Sequence, residues 1–252
     1  MTDKIALITG GSRGLGRSTA LHLAKKGVGV ILTYLSRSPE ADDVVTEIER
    51  SGGKAVALQL DTGDTAQFVA FTERIAQTLQ QEWGRQSLDY LVNNAGIGIH
   101  ASFADTTEDQ FDALVNIHLK GVFFLTQHLL PLIENGGSIV NLSSGLARFS
   151  LPGYAAYGTM KGAVEVLTRY LAQELGPRSI TVNAIAPGAI ETDFGGGVVR
   201  DNADVNQFIA SSTAMGRAGL PDDIGGAITS LLVGDNQWIT AQRIEVSGGM
   251  NI

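Results

Sequence analysis

Ile5-Ala6-Leu7-Ile8-Thr9-Gly10-Gly11-Ser12-Arg13-Gly14-Leu15-Gly16 decides the fold. A short apolar run, rich in residues that suit a strand buried on both faces, ends in a glycine-dense turn. An amphipathic stretch then begins at Gly14. Strand, glycine turn and helix in that order form the first half of a βα unit. Glycines there permit a tight turn and close approach of a pyrophosphate, whose charge the helix N–H groups would meet. The alternative is a turn that only closes the unit.

The alternation continues along the chain. Apolar, β-branched runs at Ile5–Thr9, Gly29–Tyr34, Ala55–Leu60, Leu88–Asn93, Ser138–Leu142, Thr181–Ile185 and Arg243–Val246 read as strands. Helices are expected over Gly14–Lys26, Ala41–Arg50, Thr65–Trp83, Glu108–Ile133, Ala155–Leu175 and Pro221–Leu232. The expected fold is therefore α/β: a Rossmann-type, doubly wound parallel sheet of seven strands with helices on both faces. One domain spans residues 1–252. Pro187–Gly219 is the one long irregular stretch, and a substrate lid is expected within 190–219.

Composition limits the chemistry. The chain has 252 residues, enough for a large core, and no cysteine, which excludes disulfides, thiolate catalysis and cysteine-based zinc sites. Its four histidines (His22, His100, His118 and His128) lack ligand spacing, so they read as core or surface residues and no metal is expected. A formal charge of −8 opposes binding to nucleic acid or anionic membrane. The N-terminus enters an apolar strand too early for a signal peptide, and no apolar run approaches the ~20 residues of a membrane helix. A soluble, cytoplasmic protein is expected.

Ligands of such sheets bind beyond the carboxyl ends of the strands. There the sequence places Thr9–Gly16, Asp61 and Thr62, Asn93–Gly96, Ser144 and Pro187-Gly188. Tyr157 and Lys161 lie four residues apart, on one face of a helix, thirteen and seventeen residues after Ser144. An adjacent ammonium favours the phenolate. Lowering a tyrosine by ~2–3 units needs roughly 3–4 kcal/mol of differential interaction.

The spacing Gly10-x-x-x-Gly14-x-Gly16 resembles that of the classical short-chain dehydrogenase/reductase family. Asn93-Asn94-Ala95-Gly96 matches a second family motif, and Ser144, Tyr157 and Lys161 match its catalytic trio. Asn116 stands in the place of its catalytic asparagine. Pro187-Gly188-Ala189-Ile190-Glu191-Thr192 is similar to its proline–glycine stretch, and Val246-Ser247-Gly248-Gly249 to its C-terminal pattern. The likeness runs from the first strand to the last few residues.

The resemblance implies an oxidoreductase interconverting a ketone or aldehyde and an alcohol. Ser144 would bond the substrate oxygen and Tyr157 would transfer its proton. Lys161 would bond the nicotinamide ribose and depress Tyr157, while Asn116 would hold a water linking Lys161 to solvent. Gly10, Ser12, Gly14, Leu15 and Gly16 would cradle the pyrophosphate. Asp61, Thr62, Asn94, Ala95 and Gly96 would line the adenosine side. Pro187, Gly188, Ile190 and Thr192 would border the nicotinamide. A homotetramer is also implied, with the helices carrying Asn116 and Tyr157 at an interface.

Two choices rest on the residues themselves. The thirteen-residue interval favours Ser144 over the adjacent Ser143, and Tyr154 has Gly158 where a lysine partner would stand. The segment after the second strand, Thr33-Tyr34-Leu35-Ser36-Arg37-Ser38, has no acid before Glu40 to hold ribose hydroxyls. Arg13 and Arg37 could instead clamp a 2′-phosphate, so NADP(H) is expected, with NAD(H) as the alternative. For the substrate, a small-molecule carbonyl or alcohol, three readings stay open. A ketone or aldehyde of modest size would suit Phe149, Tyr154, Ile190, Phe194, Val198 and Val199. Reduction of an acyl-carrier 3-oxothioester is disfavoured by Glu134, acidic where such relatives tend to be basic. Sugar or polyol oxidation is the third. Outside this enzyme class stand a sugar-nucleotide epimerase and a non-catalytic NADP(H) sensor.

Overall fold

The computed structural model describes residues 4–252. Seven parallel strands form one sheet: β1 (Ile5–Ile8), β2 (Gly29–Tyr34), β3 (Ala55–Gln59), β4 (Leu88–Asn93), β5 (Ile133–Leu142), β6 (Thr181–Pro187) and β7 (Arg243–Val246). Their order is β3-β2-β1-β4-β5-β6-β7. The chain reverses direction across the sheet between β1 and β4, which leaves a crevice at their carboxyl ends.

Alternation along β1 explains the layering. Ile5 and Leu7 face one core with Phe68, Phe71, Ile75 and Leu79 of α3 (Phe68–Trp83), together with Leu125 and Leu129 of α5 (Gly121–Leu129). Ala6 and Ile8 face the other, against Ala20 and Leu23 of α1 (Gly14–Lys25), Val44 and Ile48 of α2 (Ser38–Arg50) and Ile224 and Ile228 of α9 (Pro221–Leu232). Covering both faces leaves the strand wholly buried. At the opposite end of β1, buried Asp89 accepts from the Ile5 N–H at 2.8 Å and pairs with Lys4 at 3.0 Å and Arg85 at 2.7 Å.

The expected doubly wound fold is present, with several boundaries corrected. The helix expected over Glu108–Ile133 is divided. α4 (Glu108–Val115), capped by Thr107 and Gln110, passes into a π-helical segment at Asn116–Lys120 before α5. A 3-10 turn containing Pro131 ends it, because proline lacks the N–H that a continuing helix needs. β5 therefore begins at Ile133 rather than Ser138, pairing Ile133 with Leu88 across a bulge. Thr65–Gln67 forms a 3-10 turn before α3, and β6 extends to Pro187. Pro187–Gly219, expected to be irregular, holds α7 (Val198–Asp201) and α8 (Ala203–Ser211). Ahead of them Gly195, Gly196 and Gly197 all adopt positive φ, between 62° and 80°. Three successive left-handed residues are open to glycine at little cost.

A buried polar ladder ties the sheet to α6 (Ala155–Leu175). Asn93 Nδ2 donates to Asn141 Oδ1 at 2.8 Å and to Thr126 Oγ1 at 3.0 Å; Asn141 Nδ2 donates to Thr168 Oγ1 at 3.0 Å. These bonds set the height of α6 against β5, and with it the position of Tyr157 and Lys161.

Candidate active site

One cavity of about 780 Å³ runs across the carboxyl ends of the strands. Gly10, Ser12, Arg13, Gly14, Leu15, Arg37, Asp61, Thr62, Asn94, Ala95, Gly96, Ser144, Tyr157, Lys161, Pro187, Gly188, Ile190 and Thr192 all line it. Of the residues expected at the site, Gly16 and Asn116 do not. Gly16 acts from beneath: a Cβ there would fall 2.2 Å from the Gly10 carbonyl oxygen and 2.6 Å from Asn94 Nδ2. Only glycine lets α1 start so close to the loop. Asn116 lies on the π segment, where its carbonyl accepts from the Gly121 N–H.

The glycine loop is held from both sides. Gly10 N–H donates to Thr33 Oγ1 at 3.1 Å and Gly11 N–H to the Thr33 carbonyl at 2.8 Å. Asn94 Nδ2 donates to the carbonyls of Thr9 and Gly10, at 2.8 and 3.0 Å. Thr9 Oγ1 accepts from the N–H groups of Asn94 and Ala95. A Cβ at Gly11 would lie 2.6 Å from Leu32 Cβ. The result is a fixed, shallow cradle at the N-terminus of α1, with room for a phosphate and helix N–H groups to meet it.

Near the second strand the side chains separate two cofactor forms. Ser36 and Arg37 line the cavity, whereas Glu40 does not; Glu40 pairs with Arg37 at 2.5 Å. Arg13 contacts Asp193 at 3.0 Å across the mouth. Asp61 turns its carboxylate to the Gly63 N–H at 2.8 Å.

At the inner end, Tyr157 is 8% exposed and Lys161 5%. Ser144 lines the cavity with Tyr157, and its Oγ accepts from the Leu146 N–H at 3.2 Å. Ser143 also borders the cavity, but its Oγ is engaged by Glu165 Oε1 at 2.6 Å. Lys161 Nζ donates to the Leu142 carbonyl at 2.7 Å and lies 5.5 Å from the Tyr157 ring centre. Burial pushes Lys161 down to about 7. Burial also pushes Tyr157 well above its ordinary value; the Ser144 hydroxyl opposes this and Tyr154 adds to it. The expected depression of Tyr157 is therefore absent in this arrangement: desolvation wins, and the Lys161 ammonium is turned to Leu142.

Beyond Tyr157 the cavity becomes apolar and aromatic, lined by Leu146, Phe149, Leu151, Tyr154, Phe194, Val198, Val199, Phe208 and Ile209. Tyr154 stands edge-on to His100, with centroids 5.1 Å apart, and Tyr157 lies 5.7 Å from Phe194. Phe208 and Ile209 come from α8, which sequence reading missed. His118 was also missed: it is 1% exposed and lines the cavity beside Tyr157. Its signal was helical spacing, since Leu114, His118, Gly121 and Leu125 are successive buried positions along one helical run.

A family model described as enoyl-(acyl carrier protein) reductase matches residues 10–251. A hydroxynaphthalene reductase-like protein of Metarhizium robertsii is 35% identical over 260 residues, covering 99% of this chain and 95% of its own. The chain belongs to the short-chain dehydrogenase/reductase family. It is thus an oxidoreductase of the class that acts on alcohol and carbonyl groups. Two solved members superpose with a TM-score of 0.94. One is the promiscuous reductase LugOII, which catalyses keto-reduction at C1 in lugdunomycin biosynthesis; it is 37% identical, over 100% of this chain and 99% of its own. The other is the angucycline C-6 ketoreductase LanV with bound NADP, 33% identical over 99% and 96%. Among the described residues no helix is long and apolar enough to cross a membrane.

Proposed function

We propose that this short-chain dehydrogenase/reductase is an NADP(H)-dependent ketoreductase whose substrate is a ketone on a flat, largely apolar ring system. The observation that carries this reading is that Ser144, Tyr157 and Lys161 together line the cavity between its glycine-loop half and its aromatic half. The names of the relatives, a hydroxynaphthalene reductase-like protein and an angucycline ketoreductase, support the same substrate class.

The cradle fits a dinucleotide, because Gly10 and Gly14 line it without side chains and the N-terminus of α1 opens onto it. Gly10 to Leu15 would hold the pyrophosphate, and Arg13 and Arg37 a 2′-phosphate, as guanidinium does well. When bound, the cofactor supplies the hydride. The protein's residues do the rest. Ser144 Oγ donates to the substrate oxygen and orients it. Tyr157 delivers the proton to that oxygen as charge develops there. The raised proton affinity makes Tyr157 a weaker acid, but an alkoxide is a stronger base still, and Lys161, when protonated, supplies positive charge that stabilises the phenolate left behind. Phe149, Tyr154, Phe194 and Phe208 exclude water and offer ring faces and edges to an aromatic substrate. Residues 190–219 act as the lid over it.

A second reading, reduction of a carrier-bound thioester, draws on the family model's description. The net charge of −8 weighs against an acidic carrier, whereas Glu134 bonds Ser87 at the amino end of β5, away from the cavity, and does not bear on it. The assembly is read as a homotetramer, consistent with the exposed Phe123, Phe124, Val166 and Tyr170 on α5 and α6. Light scattering gives the mass. One assay separates the substrate readings: NADPH or NADH with bicyclic aromatic ketones, small aldehydes and 3-oxoacyl thioesters, followed by nicotinamide absorbance. Preferential NADPH oxidation with the bicyclic ketones is expected. Preferential turnover of thioesters would replace this reading with the second.

A further inference from the structure

On α6, Tyr157, Lys161 and Glu165 stand at intervals of four and so share one face. Glu165 Oε1 accepts two hydrogen bonds: Ser143 Oγ donates at 2.6 Å and Arg243 Nε at 2.7 Å. Ser143 Oγ also lies 3.4 Å from the Lys161 carbonyl oxygen. Arg243, on β7, divides its remaining donors. Nη1 bonds Glu245 Oε2 at 3.0 Å, and Nη2 donates to the Ser144 carbonyl at 3.3 Å, which the Ala147 N–H also meets at 3.1 Å. A planar guanidinium, with donors in fixed directions, suits this three-way contact. The Arg243 and Glu165 side chains are 22% and 15% exposed, so their pair is better shielded than one at the surface. The end of β5, the α6 face and β7 are thus joined at one point, which grips the chain on both sides of the Ser143–Ser144 peptide.

We propose that Glu165 and Arg243 are positioning residues for Ser144: together they fix the main chain at Ser143–Ser144 against the helix that carries Tyr157 and Lys161. The proposal rests on the reading of Ser144 as the group that orients the substrate oxygen. Neither Glu165 nor Arg243 lines the cavity, so both act through the backbone. Ser144 is extended there, with φ −161° and ψ 153°. A small turn of that backbone would carry its hydroxyl off the substrate oxygen, and a misplacement of about 1 Å can cost about 10²-fold in rate.

The full chain is assayed with NADPH and a bicyclic aromatic ketone, well below the Tm of each variant. Glu165→Leu removes the shared acceptor and is expected to lower kcat about tenfold or more, with KM for NADPH changed less than about twofold. Glu165→Gln keeps an oxygen in the place of Oε1 and is expected to stay within about threefold of wild type. The deciding measurement repeats Glu165→Leu in a Ser144→Ala background. There the group to be positioned is gone, so the same change should cost less than about twofold. Equal losses in the two backgrounds would show a purely structural role and overturn the proposal. Wild-type kcat in Glu165→Leu, or a loss in Glu165→Gln as large as in Glu165→Leu, would overturn it too. If Glu165→Leu fails to fold, Arg243→Lys takes its place under the same criteria, because an ammonium keeps the charge but cannot fork toward three acceptors. The Ser144→Ala parent separates the two levels of the argument. Its full activity would remove the substrate-orienting reading and this proposal together; a slow parent beside an unimpaired Glu165→Leu removes only the role of Glu165 and Arg243.

Discussion

Arg13 and Asp193 are 180 positions apart in the chain and meet in a 3.0 Å ion pair. The contact joins the glycine loop to the segment that follows β6, closing over the phosphate end of the cavity. Asp193 also binds Arg200 at 2.6 Å, and these two guanidinium groups, Arg200 before Arg13, hold its carboxyl below the usual range. The Arg13 and Asp193 side chains are 47% and 41% exposed, so their pair contributes only about 0–1 kcal/mol. Arg13 can therefore exchange that carboxylate for a phosphate at small cost.

Replacing Arg13 with alanine is expected to raise KM for NADPH roughly tenfold or more while leaving KM for NADH within about twofold, because a charge-assisted bond to phosphate is worth about 1.5–3 kcal/mol. Steady-state kinetics with both cofactors give the ratio. Equal effects on the two would show that Arg13 does not read the 2′-phosphate.

The ligand-free protein should gain stability from Lys161 as pH rises. Burial lowers Lys161 in the folded chain to about 7, against 10.5 for the free side chain. Between those values the unfolded chain binds the extra proton, so stability increases with pH through that window and the penalty is present in full below it. Tyr157, raised by burial, acts oppositely only above its ordinary value of 10.0. Melting curves from pH 7 to 10 for wild type and Lys161→Met isolate the contribution, and the variant should show the flatter slope. Parallel curves would contradict it.

Asn141 is fully buried and bonds both Asn93 and Thr168. Asn141→Leu strands polar partners away from water, and we expect a loss of about 2 kcal/mol, or roughly 4–8 °C in Tm. Because the ladder sets α6 against β5, kcat should fall as well. Unchanged stability would mean that water or repacking satisfies the ladder.

Phe149 packs in the apolar half of the cavity with Ile209 and Met250. Phe149→Ala is expected to raise KM for a bicyclic ketone about tenfold, through lost aromatic contact, with much less effect on a small aldehyde. Equal effects on both would indicate a general loss of structure.

Much of the fold was legible because local signals agreed. Ile5–Ile8 followed by Gly10, Gly14 and Gly16 marks the first βα unit, and similar strand runs mark the rest. The 108–133 stretch was misread as one helix because its apolar spacing persists through Asn116–Lys120. A single extra residue in a π turn leaves that pattern almost intact, and the Pro131 stop went unread. The same continuity of pattern conceals that His118, and not Asn116, lines the cavity. Order and spacing identified Ser144, Tyr157 and Lys161, whereas the raised affinity of Tyr157 for its proton was not legible. It follows from burial by residues far apart in sequence, chiefly those around Leu114, Met160 and Phe194.

Tyr157→Phe tests the central claim most directly, in single turnover with NADPH and a bicyclic aromatic ketone. Removing the proton donor should slow hydride transfer by about 10²–10⁴, while the Kd for NADPH stays within about threefold of wild type. A Tyr157→Phe protein that oxidises NADPH at the wild-type rate would contradict the account.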